Sequence, residues 1–128
     1  MKLNHANLPV ADVPAVKDFF TTHFDFAALP MQGGGDKFAV LEGEDGFILN
    51  LMQAKEAHIT GTESGYPKNF HIGFFVDTPE LVREKHAAIT AAGFTANEVE
   101  ELKRGGFSSV TFYCYAPGGI LVEVSSSN

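Results

Sequence analysis

The sequence predicts an α+β domain built from two βαβββ modules, and three observations support this prediction. Each half of the chain contains an extended segment, an amphipathic helix and then three further extended segments. Matching residues recur in the two halves at nearly constant spacing. A polar, turn-rich segment at 54–69 separates the halves. We therefore expect a single domain over 1–128, with modules at 1–53 and 70–128 that form a curved mixed sheet around a cavity.

The first half begins with the extended segment LNHANLPV, which is followed by a helix. Asp12 and Pro14 are typical of a helix start, and the apolar residues after them recur at helical spacing. Further strands are predicted at 27–31, 37–42 and 47–52, and the turn residues GEDG join the last two as a hairpin. The apolar helix positions are Val13, Val16, Phe19, Phe20 and Phe24.

The second half repeats this order. The segment FHIGFFVD is predicted to be a strand, and TPELVREKHAAITAAG is predicted to be a helix. Thr78 is a suitable N-cap, Pro79 suits the first turn, and Gly93 suits the helix end. Three strands follow, at 94–98, 107–115 and 120–125, and the residues APGG join the last two.

The internal repeat can be followed residue by residue. Matching residues are 65 or 66 positions apart near the start of the two modules and 73 apart near their ends. A loop insertion in the second module explains the change in spacing. The matching pairs are His5 and His71, Asp12 and Asp77, Pro14 and Pro79, Gly46 and Gly119, and Asn50 and Glu123.

Composition restricts the function. The chain is 45% hydrophobic and carries a formal charge of −7, which argues against nucleic acid or an anionic membrane as the partner. Cys114 is the only cysteine, so an intrachain disulfide and a cysteine metal cluster are excluded. No segment has the length and apolar character of a signal peptide or a membrane span. We expect a cytoplasmic protein.

Two ionisable residues lie within apolar strands. His71 begins the run HIGFFV, and Glu123 interrupts GGILVEV. A buried carboxylate requires a positive partner, and a divalent cation held by His5, His71 and Glu123 would provide one. Such a 2-His-1-carboxylate set leaves coordination positions open for substrate or dioxygen. Taken singly, each histidine fits a hydrogen-bonded structural role better than a metal ligand, and Glu123 fits a partly exposed sheet edge better. The repeat reverses this balance and favours the joint site.

The duplicated βαβββ pattern, with His in the first strand, His in the fifth and Glu in the eighth, resembles the vicinal oxygen chelate superfamily. This family includes glyoxalase I, extradiol dioxygenases, fosfomycin-resistance transferases and bleomycin-resistance proteins. The resemblance spans the chain and is strongest in FHIGFFVD and PGGILVEV. It implies that His5, His71 and Glu123 bind the metal and that Tyr113 and Glu123 are catalytic. For Tyr113, a simple aromatic position in the sheet is the alternative.

The resemblance implies a homodimeric, metal-dependent enzyme that binds a small substrate through two neighbouring oxygens. Iron would indicate ring cleavage, whereas Mn, Ni, Co or Zn would indicate isomerisation or addition. The segment 107–124 favours the dioxygenase branch. Typical ring-cleaving dioxygenases, however, have four modules, and Asn50 stands where glyoxalase I has a second glutamate. A metal-free binding protein of the bleomycin-resistance type and a glyoxalase-like lyase are the alternatives.

Overall fold

A computed structural model describes residues 1–30, 35–54 and 66–128. The chain divides into two compact units, Met1–Tyr66 and Pro67–Asn128. Each unit contains one helix and one four-stranded mixed sheet, which confirms the predicted α+β duplication. Within the predicted connecting segment, residues 55–65 lie outside the described residues.

The sheet of the first unit has the strand order β1-β4-β3-β2. Strand β1 runs parallel to β4, and the other neighbours are antiparallel. The predicted strand at 27–31 is much shorter in the structure. The elements are β1 (His5–Val10), α1 (Val13–His23), β2 (Ala27–Ala28), β3 (Phe38–Glu42) and β4 (Ile48–Gln53).

Helix α1 supplies the apolar face that the sequence predicts. Asp12 is its N-cap, and the Asp12 side chain accepts a hydrogen bond from the backbone N–H of Ala15 at 3.0 Å. The helix packs against β3 and β4. The buried residues of α1 and of these two strands are Val13, Val16, Phe19, Phe20, Ala39, Leu41, Leu49 and Leu51.

The second unit has the same topology, with the strand order β5-β8-β7-β6. Strand β5 runs parallel to β8, and the remaining pairs are antiparallel. The elements are β5 (His71–Phe75), α2 (Pro79–Ala91), β6 (Glu100–Arg104), β7 (Phe107–Ala116) and β8 (Ile120–Ser127).

The residues that cap α2 show how the two modules align with one another. The Thr78 hydroxyl accepts a hydrogen bond from the N–H of Leu81 at 3.2 Å, so Thr78 is the N-cap as predicted. Gly93 follows the helix end with a φ of +92°, a conformation that glycine adopts without strain. Because Asp12 and Thr78 are the two N-caps, Asp12 corresponds to Thr78. The sequence-based matches of Asp12 with Asp77 and of Pro14 with Pro79 were therefore each wrong by one residue.

The predicted strand at 94–98 was misplaced. In the structure, only Ala96 forms a bridge in this stretch, opposite Cys114, and the continuous strand β6 begins at Glu100. Ala96 lies opposite Cys114, and Glu100 lies opposite Thr111. The segment 97–99 between these pairs therefore has one residue more than the facing segment 112–113 of β7. This extra residue is a β-bulge.

The sheet of the second unit has two different faces. Alternate residues of β7 and β8 are buried beneath α2, including Phe112, Cys114, Val122 and Val124. The intervening residues point to the opposite face, and they include Thr111, Tyr113 and Glu123. Among the described residues, no helix has the length and apolar character needed to cross a membrane.

Candidate functional site

Five residues of the second unit form one group on the face of the sheet opposite α2. Gly73, Glu123 and Tyr113 lie side by side on β5, β8 and β7. Residues two positions apart in a strand share a face, so His71 and Thr111 point to the same side as these three. We call His71, Gly73, Thr111, Tyr113 and Glu123 the Glu123 cluster.

The two carboxylate oxygens of Glu123 have different partners. Oε1 accepts a hydrogen bond from the Thr111 hydroxyl at 3.0 Å, and Oε2 lies 3.3 Å from Nε2 of His71. The Glu123 side chain is 23% exposed and that of His71 is 38% exposed. The Glu123 carboxylate is therefore partly buried, and one oxygen faces a hydroxyl while the other faces an imidazole.

The orientation of His71 determines which ring nitrogen faces the carboxylate. Nδ1 lies 2.9 Å from the backbone carbonyl oxygen of Asn69. A carbonyl oxygen only accepts, so Nδ1 carries the hydrogen and donates it. In a neutral ring, Nε2 then has a lone pair directed towards Oε2 of Glu123.

Two lone-pair atoms at 3.3 Å repel one another unless a positive charge lies between them. A proton on Nε2 would give an ion pair, and a divalent cation would give a metal site. Two ligand atoms bound about 2.1 Å from one ion, at angles of about 90 to 110°, are about 3.0 to 3.4 Å apart. The observed separation of Nε2 and Oε2 fits this geometry, and the nitrogen and oxygen donors fit a first-row divalent metal.

Gly73 leaves space beside the carboxylate. It does not have a positive φ, so its backbone conformation does not require glycine. A Cβ at this position would lie 3.7 Å from Oε2 of Glu123, which is ordinary van der Waals contact. A glycine inside a strand lowers stability and is often found where a ligand approaches closely. Gly73 therefore keeps the approach to Oε2 open.

Tyr113 lies next to both ionisable residues. Its ring meets the His71 ring edge to face, with centroids 5.6 Å apart and planes at 87°. Its backbone is fixed by Asn97, whose side-chain oxygen accepts a hydrogen bond from the Tyr113 N–H at 2.6 Å. The sequence predicted Tyr113 but missed Asn97 and Thr111. The alternation of polar and apolar residues in SSVTFYCYA would have placed Thr111 on the same face as Tyr113.

The first unit contains the repeat counterparts of the Glu123 cluster. His5 is exposed, and its Nδ1 lies 2.7 Å from the side-chain oxygen of Asn4, an arrangement like that of Nδ1 in His71. Asn50 lies opposite Asn7 and Val40 in the sheet. Glu123 lies in the same way opposite Gly73 and Tyr113. The first unit thus retains the histidine but has an amide in place of the carboxylate.

The complete set of three predicted ligands stays a prediction. His71 and Glu123 are adjacent in the second unit, whereas His5 belongs to the first. Among residues 1–30, 35–54 and 66–128, no group of three or more His, Cys, Asp or Glu side chains is arranged to hold a metal ion. His71 and Glu123 are the two candidate ligands with defined geometry.

Comparison with known proteins agrees with this fold. A protein described as a possible glyoxalase from Bacillus cereus is 38% identical over 97% of each chain, with a TM-score of 0.76. Lactoylglutathione lyase from Agrobacterium tumefaciens shares the fold, with 18% identity over 98% of this chain and 92% of that chain and a TM-score of 0.70. The fosfomycin resistance protein FosX from Listeria monocytogenes also shares it, with 20% identity over 100% of this chain and 94% of that chain and a TM-score of 0.76. No curated protein matches the sequence. The sequence model of one family matches residues 2–124, and the chain belongs to the Glyoxalase/Bleomycin resistance protein/Dioxygenase superfamily.

Proposed function

We propose that this protein is a metal-dependent enzyme that binds a small substrate through two neighbouring oxygen atoms. The proposed ligands are His5, His71 and Glu123, and the proposed metal is Fe, Mn, Ni, Co or Zn. The observation that carries the proposal is the 3.3 Å separation between Nε2 of His71 and Oε2 of Glu123. The Nδ1–H of His71 is donated to the backbone carbonyl of Asn69, so Nε2 is the nitrogen that faces the carboxylate. A metal-binding histidine commonly donates its second N–H to a carbonyl in this way.

His5 is proposed as the third ligand because of the repeat. It begins β1 as His71 begins β5, and the Nδ1 of each ring has an oxygen partner. In each ring the Nε2 atom is then the nitrogen suited to bind a metal. Membership of the superfamily supports a divalent metal, and homodimer formation belongs to the same proposal.

The remaining roles follow from the chemistry of the side chains. A divalent cation bound by these ligands supplies Lewis-acid chemistry to a coordinated substrate. Tyr113 lies beside His71, and its phenol is proposed to donate a hydrogen bond to a substrate oxygen that gains negative charge. Gly73 keeps the approach to Glu123 free of a side chain. We favour dioxygenase-like chemistry because of the resemblance of segment 107–124.

A metal-free binding protein is the second candidate. The 3.3 Å contact between His71 and Glu123 is also within the range of an ion pair, so these two residues can satisfy one another without a cation. In that case the cluster would hold a small molecule through hydrogen bonds. A direct measurement of bound metal separates the two candidates.

The test is metal stoichiometry after reconstitution. The protein is stripped with chelator, incubated separately with each of the five divalent metals, passed over a desalting column and analysed by mass spectrometry of the metal. We expect about one equivalent in the wild type and less than about 0.2 in His5→Ala and His71→Ala, because loss of a ligand weakens a three-ligand site severely. His23→Gln, on α1, is the matched control and should bind as the wild type does. A wild type with less than about 0.2 equivalents of every metal would support the metal-free binder.

A further inference from the structure

We infer that Thr111 is a positioning residue that holds one oxygen of Glu123 and thereby reserves the other for the cation; the inference rests on the proposed function. Thr111 is only 1% exposed, although it lies on the face of the sheet that carries the cluster. Its hydroxyl lies 3.0 Å from Oε1 of Glu123. The donor hydroxyl is buried and the carboxylate is partly exposed, so this hydrogen bond restrains the orientation of the carboxylate.

The register of the sheet explains why Thr111 reaches Glu123. Thr111 lies directly opposite Ser125 on β8, so Glu123 is its diagonal neighbour on the same face. The hydroxyl also lies 3.1 Å from the backbone oxygen of Val124. Its single hydrogen is shared between a main-chain carbonyl and a side-chain carboxylate. Thr111 therefore ties the Glu123 side chain to the rigid backbone of the strand that carries it.

The two oxygens of Glu123 consequently have separate tasks. Oε1 is occupied by the Thr111 hydroxyl, while Oε2 faces Nε2 of His71. Rotation of the carboxylate away from this orientation would break the hydrogen bond to Thr111 and move the second oxygen away from Nε2 of His71. The hydroxyl therefore keeps Oε2 beside the histidine, which is the arrangement a shared cation needs. Groups that orient a ligand in this way contribute about 10- to 100-fold to metal affinity.

The first unit provides an internal comparison. Phe38 lies opposite Met52 on β4, as Thr111 lies opposite Ser125 on β8, so Phe38 is the repeat counterpart of Thr111. Phe38 has no hydroxyl, and the residue in the place of Glu123 is Asn50. The hydroxyl thus occurs in the unit that has the carboxylate. This pairing favours a role of Thr111 towards Glu123 over a general role in the fold.

The experiment compares metal affinity in Thr111→Val and Thr111→Ser. Valine keeps the shape of threonine and removes the hydroxyl, whereas serine keeps the hydroxyl. Dissociation constants are measured by competition with a chelating dye, using the metal that the wild type binds best. We expect Thr111→Val to bind the metal about 10- to 100-fold more weakly and Thr111→Ser to stay within about threefold of the wild type. Urea unfolding of the metal-free proteins is measured in parallel.

The control is Val110→Ala, on the same strand but on the face buried beneath α2. It destabilises the unit without touching the cluster, so its metal affinity should be unchanged. Equal affinity in Thr111→Val and the wild type would overturn the role of Thr111 while leaving the metal site intact. Loss of affinity in Val110→Ala as well would also overturn it, because stability alone would then explain the effect. A wild type that binds no metal would overturn the proposed function and this inference with it.

Discussion

Glu123 places a carboxylate in a strand whose flanking residues, Val122 and Val124, are fully buried. The charge is tolerated because strand alternation turns Glu123 to the other face, where Thr111 and His71 lie within reach of its oxygens. The sequence showed that this residue needs a partner. It did not show that Thr111 would be one of the partners, because the contact depends on cross-strand register.

Cys114 is expected to make stability depend on pH. The thiol is 1% exposed, and burial raises its pKa from an ordinary value of 9.0 to about 11. Well below pH 9.0 the thiol is protonated in both states and its contribution is constant. Above that value the unfolded chain releases the proton first, so the free energy of unfolding falls as pH rises towards about 11.

Cys114→Ala tests this expectation. Urea midpoints are measured at intervals from about pH 8 to about pH 10, below the range in which Tyr66, whose pKa burial raises to about 12, contributes strongly. We expect the wild-type midpoint to decline more steeply with pH than that of the variant. The variant starts at a lower midpoint because it loses buried volume, but the slope is the relevant quantity. Parallel slopes would contradict a buried, protonated thiol.

Strand β6 shows why one element was misplaced. The strand order puts β6 at the edge of the sheet, where β7 is the strand that pairs with it among the described residues. Charged residues such as Glu100, Glu101 and Lys103 are typical of edge strands because they discourage further pairing. They also remove the apolar alternation by which a strand is recognised in a sequence. The more apolar segment at 94–98 fits the pattern of a strand better, although in the structure only Ala96 of that segment forms a bridge.

Asn97 connects this bulge region to the candidate site. Its side-chain oxygen accepts from the N–H of Tyr113, and its own N–H donates to the Tyr113 carbonyl at 3.0 Å. Asn97→Ala removes the first of these bonds and should lower the free energy of unfolding by about 0.5–1.5 kcal/mol, measured by urea denaturation. Asn97→Asp retains an acceptor oxygen and should lose less than half as much. Equal losses in the two variants would show that the side-chain bond does not stabilise this hairpin.

The whole molecule is a duplication in which the two modules have diverged. Their strand orders, β1-β4-β3-β2 and β5-β8-β7-β6, are equivalent, and the helices pack on corresponding strands. The modules differ at the site: Val40, Asn50 and Asn7 of the first unit correspond to Tyr113, Glu123 and Gly73 of the second. The second module therefore carries the carboxylate and the phenol.

This asymmetry leads to a prediction about the reaction. Asn50 cannot act as a base, so the protein loaded with Ni or Zn should give a flat baseline with the glutathione hemithioacetal of methylglyoxal. Loaded with Fe(II), it should consume dioxygen in the presence of catechols, and Tyr113→Phe should reduce this rate about 100- to 1,000-fold. An oxygen electrode and an absorbance assay measure the two reactions. Turnover of the hemithioacetal with no oxygen uptake would replace dioxygenase-like chemistry with a lyase.

By itself, the sequence determined the duplicated βαβββ order, both helices with their caps, and the presence of polar residues in apolar strands. These features are local: they depend on the periodicity of apolar residues and on the side chains at helix ends. The tertiary structure decided the register that brings Thr111 and His71 to opposite oxygens of Glu123, the bulge after Ala96 and the start of β6. Contacts between residues far apart in the chain depend on strand pairing, and a one-residue shift in register reverses the face of every side chain.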